Sequence, residues 1–171
     1  MRIYLIGYMG SGKTTVGKKL ARLLDYQFID LDEIFEEKYH LKITDFFVKY
    51  DEQAFREIES NLIKETEQID NVVISTGGGA PCFNNNLSLM KGMGLTVYLQ
   101  MSIPALVYRL TNAKRVRPLL KDMNENELTT FITEQLKLRD VFYKKAQIIV
   151  NGENSEIEIL AQSIKLHPLF K

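Results

Sequence analysis

Residues 7–14 read Gly-Tyr-Met-Gly-Ser-Gly-Lys-Thr, and their setting constrains the fold more than any other stretch of the chain. Ile3, Tyr4, Leu5 and Ile6 form an apolar run just before them, suited to a buried strand. Val16, Leu20, Leu23 and Leu24 follow at helical spacing. A strand, a glycine-rich turn and a helix start form the context in which G-x-x-x-x-G-K-[ST] holds phosphate. Glycine lets the backbone curl until several N–H groups face one anion. The start of the next helix adds partial positive charge there. Lys13 suits the outer phosphates of a nucleotide, and the Thr14 hydroxyl suits a magnesium ion. The plainer alternative is a glycine turn with a solvated lysine, against which the full pattern in this setting argues.

The rest of the chain alternates strand-like and helix-like segments. Gln27–Asp30, Val72–Ser75, Leu95–Leu99 and Ala146–Val150 read as further strands. Residues 32–66 read as several helical pieces. Helices are also expected over Asn84–Lys91, Ile103–Leu110, Glu125–Tyr143 and Ser155–Leu166, with a polar, basic loop over 112–124. Five apolar strands alternating with helices indicate an α/β fold, a parallel sheet covered on both faces. Ligands in such folds bind at the carboxyl ends of the strands.

Composition narrows the function. At 171 residues the chain suits one domain, and 22 basic residues balance 22 acidic ones, so nothing in the total charge favours nucleic acid. Cys82 is the sole cysteine, which excludes an internal disulfide and a cysteine zinc cluster. No apolar run has the length of a membrane span, and no leader pattern precedes the first strand. These observations lead to the expectation of a cytoplasmic protein without membrane or nucleic-acid partners.

The informative residues fall just after strands. Asp30 and Asp32 follow the second; in extended chain both carboxylates would face one side. Asp30 could hold a magnesium-bound water and Asp32 could take a proton from an attacking hydroxyl. Alternatively, Asp32 caps the helix that follows. Arg56 and Glu59 share a helix face, either as an exposed ion pair or as a fork for a substrate anion. Thr76-Gly77-Gly78-Gly79 ends the third strand and admits a ligand close to the backbone, unless it is only a flexible turn. Arg109, Lys114, Arg115 and Arg117 form a basic stretch that suits phosphoryl transfer or a solvated loop. Arg139, alone, is a helix-surface arginine.

Together these motifs resemble the shikimate kinases, small P-loop kinases of aromatic amino acid biosynthesis. The resemblance rests on the phosphate loop, Asp30-x-Asp32, Phe55-Arg56-x-x-Glu59, Thr76-Gly77-Gly78-Gly79, Arg117-Pro118-Leu119-Leu120 and Arg139-x-x-x-Tyr143, in the family's order. It implies a P-loop NTPase three-layer α/β/α sandwich with strand order 2-3-1-4-5. Residues 32–66 would be the substrate-binding part and 112–124 a lid. The implied reaction moves the γ-phosphoryl of ATP to the 3-hydroxyl of shikimate with Mg2+. Gly10, Ser11, Gly12, Lys13, Thr14, Thr15, Arg109 and Arg117 would bind ATP, with Arg109 near the adenine. Thr14 and Asp30 would serve the metal. Asp32, Arg56, Gly78, Gly79 and Arg139 would bind shikimate, with Asp32 as base and Lys13 and Arg117 assisting transfer. The resemblance implies a monomer. Two positions depart from the family pattern: Asp51 stands where a glycine is common, and Arg115 where an uncharged residue is more frequent. A gluconate kinase, a nucleoside monophosphate kinase, a nucleotide switch and an inactive regulator are the rival readings. The Asn-Lys-x-Asp run of guanine-specific switches does not occur.

Overall fold

The strands pair as the apolar runs require. In the computed structural model, which describes residues 1–113, 120, 122–154 and 156–170, β1 (Arg2–Ile6), β2 (Gln27–Asp30), β3 (Val72–Ser75), β4 (Leu95–Gln100) and β5 (Ile148–Asn151) form one sheet in the order β2-β3-β1-β4-β5. Every pairing is parallel. Central β1 is apolar on both sides because both faces are covered. Ile3 and Leu5 pack with Leu20 and Leu24 of α1 (Lys13–Leu24) and with Leu160 and Ile164 of α8 (Ile157–Leu166). Tyr4 and Ile6 face the opposite layer, with Ile63 of α4 (Glu52–Glu65), Met90 of α5 (Asn86–Met93), Leu106 of α6 (Ile103–Thr111) and Ile132 of α7 (Glu125–Tyr143). The result is a three-layer α/β/α sandwich.

The segment after β2 divides into α2 (Leu31–Tyr39), α3 (Ile43–Lys49) and α4. These helices share a small core of Phe35, Phe46, Phe55 and Leu62. Asp51 caps α4, its carboxylate accepting from the Ala54 N–H at 2.8 Å. The departure at this position therefore starts the helix soundly, without a glycine.

The structure shifts several expected boundaries. Helix α5 begins at Asn86, two residues late, because Asn85 adopts a left-handed conformation at its cap. Strand β5 starts at Ile148, since Gln147 turns its side chain back to accept from the Thr96 N–H at 2.8 Å. Helix α8 starts at Ile157, and Ser155 lies outside the described residues. So do Lys114 to Leu119, and with them most of the expected lid, including Arg115 and Arg117.

Buried polar bonds tie α4 to the loop after β3. The Ser60 hydroxyl donates to Asn86 Oδ1 at 2.7 Å, and Asn86 Nδ2 donates to the Ala80 carbonyl at 3.0 Å. Asn84 Nδ2 bonds both the Ser60 hydroxyl and the Arg56 carbonyl. Asn86 is fully buried, so its loss would leave the Ala80 carbonyl unpaired and the Ser60 hydroxyl with Asn84 alone. Asn86→Ala is expected to lower unfolding free energy by about 1–3 kcal/mol in urea titration, the cost of one unsatisfied buried group.

Candidate active site

The phosphate loop leaves β1 and enters α1 at its amino end. Gly12 caps α1 at φ 94°, and Gly10 sits at φ 80°, left-handed conformations in which a side chain would be strained. Lys13 is buried, and its ammonium donates to the Gly7 and Tyr8 carbonyls, each at 2.9 Å. The lysine thus folds back across the mouth of its own loop.

Asp30 ends β2 beside this loop. Its Oδ2 accepts from the Thr14 hydroxyl at 2.8 Å, and its Oδ1 accepts from the Asp32 N–H at 3.1 Å. Asp30, not Asp32, is therefore the cap of α2. Asp32 lies in the first turn, so the two carboxylates are not set by an extended chain. Capping spends one Asp30 oxygen on the helix and points the other at Thr14. Two hard oxygens at the phosphate loop fit a magnesium ion, which keeps most of its waters and takes phosphate oxygens for the rest. Among the described residues no group of three His, Cys, Asp or Glu side chains could hold a metal.

Arg56 and Glu59 do not form the exposed pair that composition allows. Helix α4 presses this face against the turn after β3, leaving the Arg56 and Glu59 side chains 12% and 5% exposed. Arg56 Nη1 donates to Glu59 Oε2 at 2.8 Å, and Nη2 donates to the exposed Glu52 at 2.9 Å. The guanidinium also lies 4.2 Å from the Phe83 ring centre. Burial raises the Glu59 carboxyl above the usual carboxylate range, against the pull of Arg56. Burial also works against charge on Arg56, but Glu59 and Glu52 together hold it above its ordinary value.

The glycine turn is tight because charged side chains press on it. A methyl at Gly77 would lie 2.6 Å from Glu59 Oε1 and 3.2 Å from Asp32 Oδ1. One at Gly79 would lie 2.6 Å from Arg56 Nη2. Thr76 anchors the turn, its hydroxyl donating to the Leu5 carbonyl at 3.1 Å. The turn is therefore a shaped wall rather than slack chain. From the opposite side, half-buried Arg139 of α7 lies 5.5 Å from the Tyr8 ring centre. Burial pushes the nearby Cys82 thiol up to about 11, so it stays protonated at neutral pH.

Two cavities share the phosphate loop as a wall. One, of about 250 Å³, is lined by Lys13, Thr14, Asp30, Asp32, Thr76 and Gly78. The other, of about 470 Å³, is bounded by Gly12, Thr15, Arg109, Gly152 and Asn154. Arg109 bridges the second cavity, donating to the Ser11 carbonyl at 3.1 Å and the Gly152 carbonyl at 3.3 Å. Gly10, Ser11, Gly12, Lys13, Thr14, Thr15, Asp30, Asp32, Arg56, Gly78, Gly79, Arg109 and Arg139 thus all lie at the carboxyl edge of the sheet or on helices that border it. Arg117 lies outside the described residues. Sequence reasoning missed the stack of Phe83 on Arg56 and the burial of Glu59. Neither has a local signal, because each arises from contacts between separate elements.

Comparison with known proteins agrees with this arrangement. The family model for shikimate kinase matches residues 9–167. A shikimate kinase of Parabacteroides distasonis is 49% identical over 152 residues, 89% of this chain and 88% of that protein. The crystal structure of shikimate kinase from Bacteroides thetaiotaomicron superimposes with a TM-score of 0.91 at 44% identity, covering 96% of each chain. That of the Acinetobacter baumannii shikimate kinase in complex with shikimate has a TM-score of 0.83 at 35% identity, covering 95% of this chain and 89% of that one. With a family match over residues 9–167 and relatives similar in both sequence and structure, the chain belongs to the shikimate kinase family.

Proposed function

We propose that this chain transfers the γ-phosphoryl of ATP to the 3-hydroxyl of shikimate, giving shikimate 3-phosphate and ADP on the route to chorismate and the aromatic amino acids. The observation that carries the reading is the meeting of Arg56, Glu59 and Asp32 on the Gly77–Gly79 turn, next to a phosphate loop. Shikimate has one carboxylate and three hydroxyls. Arginines match the carboxylate in charge and geometry, and a carboxylate side chain accepts from hydroxyls.

In this reading Gly10, Ser11, Gly12, Lys13, Thr14 and Thr15 hold the ATP phosphates. Lys13 leaves the Gly7 and Tyr8 carbonyls and meets the outer phosphates. The larger cavity takes the nucleoside, with Arg109 beside the base. Arg117 reaches the phosphates. Thr14 and Asp30 hold Mg2+, which when bound supplies charge neutralisation on the transferring phosphoryl group. Arg56 and Arg139 clamp the carboxylate from two sides, and the Gly78 and Gly79 N–H groups complete the cradle. Asp32 receives the proton of the attacking hydroxyl. The protein's main work is positioning and charge stabilisation, the larger part of catalysis in phosphoryl transfer.

Residues 32–66 form the substrate-binding part and 112–124 the lid of a single-domain, monomeric, cytoplasmic enzyme acting on small molecules only. The separate aromatic core under α2–α4 supports the first assignment. The single cysteine and the balanced charge agree with the last ones. Among the described residues no helix is long and apolar enough to cross a membrane.

ADP release with ATP, magnesium and each of shikimate, gluconate and a nucleoside monophosphate tests the assignment. Turnover should depend on shikimate and vanish on chelation of the metal; turnover with another acceptor would discard the pocket assignment. In the same assay Arg56→Ala should lower kcat/KM for shikimate about 100- to 1000-fold, the cost of stranding charge partners in a buried site. Its ATP affinity should stay near wild type; an equal loss of ATP affinity would count against the carboxylate clamp. Asp32→Asn should lower kcat about 100- to 10,000-fold, the range for a removed general base, while the folded protein still binds ATP. A kcat within a few-fold of wild type would remove Asp32 from that role.

A further inference from the structure

We propose that Tyr143 is a positioning residue of the substrate pocket: its hydroxyl, bonded to the Gly78 carbonyl, aims the Gly79 N–H. The proposal rests on the shikimate-pocket reading above and assigns a task to a side chain that reading leaves without one.

Tyr143 is fully buried and follows Arg139 by four positions on α7, so both share one face of the helix. Its hydroxyl donates to the Gly78 carbonyl, 65 positions away in the chain. The positive charge of Arg139 lies near the same phenol, opposing the rise that burial imposes on it. A phenol has a single O–H to donate, and here it is committed to Gly78.

The bond to Gly78 has a consequence one residue on. The peptide between Gly78 and Gly79 is planar and trans, so its C=O and N–H point in opposite directions. Fixing the Gly78 carbonyl on the α7 side turns the Gly79 N–H away from α7. Neither glycine has a side chain to hold this plane. The turn's own bonds, from the Ala80 N–H to the Gly77 carbonyl and from the Cys82 N–H to the Gly79 carbonyl, leave the Gly78 carbonyl to Tyr143.

The anchor is itself held. The Tyr143 ring lies 5.0 Å from the Tyr98 ring. The Tyr98 hydroxyl donates to Asp140 Oδ1 at 2.8 Å, and Asp140 Oδ2 pairs with Lys144 at 2.6 Å. This chain of contacts leaves the phenol little room to swing. Burial raises the Tyr143 phenol well above its ordinary range, so it remains an O–H donor through neutral and alkaline pH.

Steady-state kinetics of Tyr143→Phe, in both substrates, tests the proposal. Shikimate KM should rise about 5- to 20-fold, the effect of one lost hydrogen bond and one stranded carbonyl. ATP KM should stay within about twofold, as expected of a site that shares no partner with Tyr143. A merely structural role would move both constants together or neither, and either result in a folded variant overturns the proposal. Absence of shikimate-dependent turnover in the wild type would overturn the underlying reading as well, and is distinguished by that. Should the phenylalanine variant fail to fold, the wild-type Gly79 amide resonance gives a second test. It should shift and gain exchange protection when shikimate is added, and an unresponsive Gly79 amide overturns the proposal.

Discussion

The site depends on how closely the Gly77–Gly79 turn approaches three charged side chains. Glu59 and Asp32 occupy the space where a Gly77 side chain would stand, and Arg56 occupies that of Gly79. Any larger residue would have to push charged groups out of a packed, half-dry wall, where displaced charge is costly. That contact joins α4, α2 and the end of β3 into one surface. It explains why Arg56 and Glu59, unremarkable on an isolated helix, are buried here. The Ser60–Asn86 network below keeps the two sides at that distance.

Three cations at the cavities rest on internal acceptors: Lys13 on two loop carbonyls, Arg56 on two carboxylates and Arg109 on carbonyls of two loops. Charge is thereby held near the sheet edge without being stranded in a low-dielectric site. The loop carbonyls are weaker acceptors than a phosphate, and Glu52 is exposed, whereas Glu59 is a buried carboxylate that stays with Arg56. An anionic ligand can replace the weaker partners without the protein first having to assemble its positive groups.

Much of this was legible in the sequence, and the gaps have physical reasons. β2, β3 and α7 have the expected limits because apolar runs and helical spacing are local signals. The phosphate loop was legible for the same reason: its eight residues carry their own geometry. Asp30 lies beside the phosphate loop, bonded to Thr14. The cap that the sequence offered as an alternative for Asp32 falls to Asp30, because α2 starts two residues earlier than that alternative requires. The burial of Glu59 was not legible, since an i, i+3 ion pair looks alike on an exposed and a packed helix face. The stack of Phe83 on Arg56 was hidden because it joins residues 27 positions apart. The sequence resemblance supplied the roles of Arg56 and Arg139 that composition alone left open, and the fold brings both to the same edge of the sheet.

The central claim is that Arg56 and Arg139 face one carboxylate while Asp32 faces the hydroxyl that is phosphorylated. A crystal structure of the protein with ADP, magnesium and shikimate measures this directly. The account predicts the shikimate carboxylate between the two guanidinium groups, with the 3-hydroxyl in hydrogen-bond contact with Asp32 and pointing toward the phosphate loop. Shikimate bound with its carboxylate away from Arg56 and Arg139, or with another hydroxyl facing the nucleotide, would contradict it.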